Sequence, residues 1–145
     1  MIGWIALTIT LAIFASIALR IDDWGRDWTK NTASLVPDAQ REGLRPVELE
    51  SDLAETQSRL ERWVESDSRW SIVSVSPTDE LPVRLKLTRT TPIMRFVDDI
   101  EVTIDGRPES GGVIIHATSK SRIGKGDLGQ NPRNLIELTN GLRDQ

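Results

Sequence analysis

The sequence of 145 residues has no cysteine, no tyrosine and a single histidine, His116. Without thiols there is no disulfide framework, no thiol nucleophile and no Cys-ligated zinc or iron–sulfur centre, and one imidazole cannot make a histidine cluster. No metal and no cofactor is therefore expected. Basic residues are outnumbered, 18 Lys and Arg against 22 Asp and Glu, for a net charge of −4. That balance argues against a phosphate-gripping surface, so nucleic acid is not an expected partner. A chain this short has room for one folded domain.

The charges are absent from one region altogether. Met1 to Leu19 contain no Asp, Glu, Lys or Arg. As a helix this run would be about 28 Å long, close to the roughly 30 Å hydrocarbon core of a bilayer. Trp4 near one end and Trp24 and Trp28 past the other match the places where indoles settle at lipid–water boundaries. Residues 1–19 are thus expected to be an uncleaved transmembrane helix rather than a signal peptide, because no Lys or Arg precedes the apolar run. The expected location is a membrane, crossed once, with the side of the following domain left open. Residues 20–46 are polar, punctuated by Pro37, Gly43 and Pro46, and read as an interfacial linker.

Residues 47–145 carry the folding signals. Leu49, Leu53, Leu60 and Val64 place an apolar stripe on a helix over Glu48 to Glu65. Four strands are expected at Trp70 to Ser76, Val83 to Arg89, Ile100 to Asp105 and Gly112 to Ser119. Their signals are β-branched runs and alternations such as Val83-x-Leu85-x-Leu87. Turn-formers at Pro77, Pro82, Thr91-Pro92 and Asp105-Gly106 make antiparallel neighbours. Asn131-Pro132 opens a last helix along the stripe Leu135, Leu138 and Leu142. The expected fold is α+β: after the transmembrane helix, a small two-layer domain in the order helix, four strands, helix. A four-stranded, mainly antiparallel sheet packs on two amphipathic helices.

The densest polar stretch runs from Ser119 to Asn131 and holds Lys120, Arg122 and Lys125 among three glycines, Gly124, Gly126 and Gly129. Positive φ angles and exposed N–H groups beside a helix start suit such a loop to an anion. The alternative is purely architectural: Arg122 pairs with Asp127, Asp98 or Asp99 to hold the turn. Asp98 and Asp99 are adjacent strand residues and face opposite ways, which favours a loop cap or an arginine partner over a shared site. His116, alone in a strand and without a nucleophile motif nearby, reads as a hydrogen-bonded structural residue rather than a base.

Two segments carry a family resemblance: Met94-Arg95-Phe96-Val97-Asp98-Asp99-Ile100-Glu101-Val102 and Ser119-Lys120-Ser121-Arg122-Ile123-Gly124-Lys125-Gly126-Asp127-Leu128-Gly129-Gln130-Asn131. They resemble the domain of unknown function 1499, small α+β domains of bacteria and plastids, often behind a membrane or export segment. The matching positions are Arg95, Phe96, Asp98, Asp99, Ser121, Arg122, Gly124, Asp127, Gly129 and Asn131. The sequence departs where the family often has an arginine three residues beyond the signature asparagine, here Asn134, and it lacks an upstream Asn-Cys-Val-Ser-like segment. The resemblance implies a location for the site but no activity. The expected function is non-catalytic: a single-span membrane protein serving as accessory or assembly subunit of a larger complex. Its partners would be membrane lipid and other membrane-protein subunits, in the inner or photosynthetic membrane of a bacterium. The alternative is a membrane-proximal binding module for an anionic small molecule or lipid headgroup. A hydrolase or isomerase using Asp127 or His116 comes last.

Overall fold

A computed structural model describes residues 2–19, 25, 29–76, 81–107 and 110–144. The elements in chain order are helix α1 (Ile2–Ala18), strand β1 (Thr32–Ser34), a 3-10 turn (Glu42–Leu44), β2 (Val47–Leu49), α2 (Leu53–Ser66), β3 (Trp70–Val75), β4 (Val83–Thr90), β5 (Val97–Gly106), β6 (Val113–Ser121) and α3 (Gln130–Arg143). All strand pairings are antiparallel, in the order β1-β6-β5-β4-β3, with β2 also paired to β6.

The sheet is thus six-stranded, not four-stranded, among the described residues. The two additional strands are three residues each, too short for an alternation of apolar and polar residues to announce them. What calls them into the sheet is the open edge of β6. Thr32–Ser34 pair with Thr118–Lys120, and Val47–Leu49 with Val113–Ile115, so two short segments in tandem satisfy the N–H and C=O groups of one nine-residue strand. Part of the stretch expected to be a linker, Thr32–Ser34, therefore belongs to the sheet, and Leu35 brings it into the core. Extended backbone at Val47–Leu49 also delays the first amphipathic helix. It starts at Leu53, where the Asp52 carboxylate accepts a 2.8 Å hydrogen bond from the Glu55 N–H.

The N-terminal segment is a second correction. Helix α1 spans 17 residues, about 26 Å, short of the roughly 30 Å hydrocarbon core. Its apolar run is interrupted by Thr8 and Thr10, whose hydroxyls donate back to the carbonyls of Trp4 and Ala6. No helix among the described residues is long and apolar enough to cross a membrane. The expected transmembrane helix is overturned, and with it the single-pass membrane location. Trp4 is exposed on α1; the other two expected interface residues, Trp24 and Trp28, lie outside the described residues.

One face of the sheet is covered. Val83, Leu85 and Leu87 of β4, Ile100, Val102 and Ile104 of β5 and Val113, Ile115 and Ala117 of β6 are buried. With them are Leu60 and Val64 of α2 and Leu135, Leu138 and Leu142 of α3. Period-two alternation on the strands and the helical spacing on α2 and α3 aim all of these side chains into one layer. The helices meet closely at Gly141, where a Cβ would lie 1.8 Å from Trp63 Nε1. Trp63 in turn stands edge-on to Trp70, their ring centres 4.8 Å apart. On the opposite face, Arg84, Lys86, Glu101 and His116 are exposed, with Lys86 directly across from Glu101.

Candidate functional site

Along the covered face the side chains change character at one end of the sheet. The apolar rows Val83-Leu85-Leu87, Ile104-Val102-Ile100 and Val113-Ile115-Ala117 end in Arg89, Asp98, and Ser119 with Ser121, all buried. The first half of α3 answers with Asn131 and Asn134, also buried, and Glu137. Buried polar groups require partners, because removing one from water without a hydrogen bond is costly.

Here the matching is close to complete. The Asn131 carboxamide accepts from Ser119 Oγ at 2.6 Å and donates to Asn31 O at 2.8 Å and Ser121 Oγ at 3.0 Å. The Asn134 carboxamide donates to Asp98 Oδ2 at 2.8 Å and Ser119 Oγ at 3.1 Å, and accepts from Gln130 Nε2 at 2.7 Å. Both amides thus use their two N–H donors and their oxygen. A few residues along α3, Arg89 Nε donates to Glu137 Oε2 at 2.9 Å, while Arg69 bridges the same Glu137 and Asp67. The Arg69 guanidinium holds the Asp67 carboxyl below the usual carboxylate range, chiefly through its side-chain hydrogen bond.

Two loops rise from this polar end. The loop from Arg122 to Gly129 is shaped by positive φ angles at Gly124, Leu128 and Gly129. Gly129, at φ 74°, sits at the helix cap position without a side chain to close it. Asp127 closes it from two residues upstream, its carboxylate accepting the Gly129 N–H at 3.0 Å and the Asn131 N–H at 2.7 Å. The other loop, Thr91 to Phe96, is pinned by Thr91 Oγ1 accepting from the Phe96 N–H at 2.9 Å, with Arg95 at φ 54°. Between the loops lies a cleft of about 530 Å³, walled by Ile93, Met94, Phe96, Val97, Ile123 and Leu128. Asp98 and Ser121 are at its floor, and Asp127, Gln130 and Arg133 also border it.

The expected site residues divide accordingly. Asp98, Ser121, Gly124 and Asp127 line the cleft, and Gly129 and Asn131 build the helix start beside it. Arg95 belongs to the cleft's first loop, between Met94 and Phe96. Asp99 and Arg122 face the other side of the sheet, joined by two hydrogen bonds of 2.6 and 2.9 Å. Arg122 lowers the Asp99 carboxyl below its ordinary value, and Asp99 raises that of Arg122. His116 is exposed on the same outer face, across from Thr103. Among the described residues no three His, Cys, Asp or Glu side chains are grouped to hold a metal ion.

Several residues of this region carried no sequence signal. Arg69, Arg89 and Glu137 are far apart in the chain, and the cleft walls Ile93, Met94 and Ile123 belong to loops without periodicity. The available clue was apolar side chains in segments that turn chemistry alone would have left polar. Asn134, where the family often has an arginine, is a central hydrogen-bonding residue of the buried network.

Fold and site together define a small antiparallel sheet domain with two covering helices and a cleft beside the last helix. The chain matches the family described as "Protein of unknown function (DUF1499)" over residues 26–142, and it belongs to that family. No curated protein and no solved structure matches it.

Proposed function

We propose that this chain is a non-catalytic binding module, an accessory or assembly subunit of a larger protein complex, and that it holds its partner through the cleft between the two loops. The observation that carries the reading is the convergence of both family segments on one apolar cleft. Thr91–Phe96, before the start of β5, and Arg122–Gly129, after the end of β6, meet at the same end of the sheet, and their apolar side chains remain exposed. Exposed apolar residues grouped around a concavity mark a surface that binds a partner or ligand. The polar side chains nearby are engaged in holding the architecture: Ser119, Asn131 and Asn134 bond one another, and Asp127 closes the helix.

An anionic small molecule at the Ser119–Asn131 loop has less support. Arg122 is committed to Asp99 on the outer face, and the N-terminus of α3 already carries the carboxylate of Asp127.

The test uses Ile123→Asp, a substitution at a side chain 68% exposed and therefore tolerated by the fold. Full-length chain purified from its native source should bring a stoichiometric partner that Ile123→Asp loses, at an unchanged melting temperature. A partner retained by the variant, or native protein that is monomeric at every stage, overturns the proposal.

A further inference from the structure

The floor of the cleft says what should enter it. Asp98 is 2% exposed. One of its oxygens, Oδ2, accepts from Asn134, and the other takes no hydrogen bond from a described residue. Directly across the β5–β6 ladder stands Ser121, whose Oγ accepts from Asn131 and whose own O–H has no acceptor among the described residues. The remaining side chains with polar groups on the cleft are engaged. Both Asp127 oxygens take helix N–H groups, Gln130 donates to Asn134, and Arg133 donates to Leu128 O at 3.2 Å and Gln130 Oε1 at 3.3 Å. Arg89, the cation opposite Asp98 on β4, is bonded to Glu137. A carboxyl with unused acceptor capacity therefore lies beneath apolar walls, without an ion-pair partner among the described residues. That arrangement favours an occupant bringing donors and positive charge.

The walls and rim add the remaining requirements. Ile93, Met94 and Ile123 are 88%, 66% and 68% exposed. A small molecule seated on Asp98 would leave these rim residues in water, whereas a polypeptide would cover them. Lysine and arginine combine an apolar stem with a charged end, which suits a passage of apolar walls leading to a carboxyl.

Resting on the reading of the cleft as a partner site, we infer that its occupant is a partner-protein segment that inserts a lysine or arginine between apolar side chains and sets the cationic end on Asp98. Three probe peptides test this, acetyl-Ala-Leu-X-Leu-Ala amide with X as lysine, methionine or glutamate. Each is titrated into the isotope-labelled full chain while the amides of Gly124 and Gly126 and the Asn134 side chain are followed by NMR. The lysine peptide should bind about tenfold more tightly than the methionine peptide, as one charge-assisted hydrogen bond to a shielded carboxylate allows, and the glutamate peptide least. Asp98→Asn, whose amide oxygen still accepts from Asn134, should erase the preference. If that variant does not fold, the Asn134 side-chain amide of the unaltered chain, which donates to Asp98, should shift further at saturation with the lysine peptide than with the methionine peptide. Equal binding of the lysine and glutamate peptides to the unaltered chain overturns the inference while leaving the cleft a partner site, as does a preference surviving in folded Asp98→Asn or an Asn134 amide that shifts equally with the lysine and methionine peptides. No perturbation by any of the three overturns the partner site itself.

Discussion

The two ends of the covered sheet face are held by different physics. At one end, the rows of valine, leucine and isoleucine from β4, β5 and β6 meet Leu138 and Leu142 of α3, and cohesion comes from area removed from water and close packing. At the other, Arg89, Asp98, Ser119 and Ser121 meet Asn131, Asn134 and Glu137, and cohesion depends on donors finding acceptors. Apolar packing is non-directional and accommodates changes of shape, but a hydrogen-bonded layer specifies angles. The directional end is the one from which both cleft loops depart, so the loops inherit a defined starting geometry.

The sharpest way to break the comparison is to cut each end. Leu138→Ala should cost about 2–5 kcal/mol in chemical denaturation, because a fully buried leucine leaves a cavity, and it should leave the cleft's peptide preference unchanged. Asn131→Ala should cost somewhat less, about 1–3 kcal/mol for a stranded buried hydrogen-bonding group, and it should disturb the Gly124 and Gly126 amides. A double-mutant cycle sharpens this contrast. Ser119→Ala combined with Asn131→Ala should cost less than the two single changes added, since the second removes a partner already lost. Strict additivity would mean the polar end is not a coupled network.

Acid provides a smaller perturbation aimed at the ion pairs. Asp67 and Asp99 have folded-state values below the ordinary 3.8. Between the folded and unfolded values the unfolded chain binds more protons, so this stabilisation is present above about pH 4 and is lost as pH falls through the folded values. Asp67→Asn should flatten the decline of melting temperature measured in that acid range. The smallest effect is expected from Arg122→Ala. Its pair with Asp99 is half-exposed on the outer face, and solvent screens it. A melting temperature close to that of the unaltered chain is expected, and a large drop would show that this face is not the solvated surface described.

Legibility in the sequence followed the same division. Alternation in Val83-x-Leu85-x-Leu87 and Ile100-x-Val102-x-Ile104 located strands because an apolar layer demands a period of two. The same alternation separated Asp98 from Asp99, one buried and one half-exposed. Leu135, Leu138 and Leu142 marked α3 by helical spacing. β1 and β2 escaped because three residues carry no period and only the neighbouring edge of β6 makes them strands. Helix α1 misled because apolar composition is visible in sequence while the length of helix actually formed is not. The cleft escaped because its walls come from two loops whose apolar residues follow no repeat.

By itself the sequence determined which residues are apolar at periods of two and about 3.6, and therefore the long strands, the two covering helices and the faces they bury. Only the tertiary structure decided that six strands share the sheet, that Asn131 and Asn134 satisfy the buried serines and Asp98, and that two distant loops enclose one cleft. The physical reason is range. Periodicity is set by neighbours a few residues away, whereas a hydrogen bond from Asn134 to Asp98 or a cleft walled by both Phe96 and Ile123 exists only once the chain has closed the separation between them.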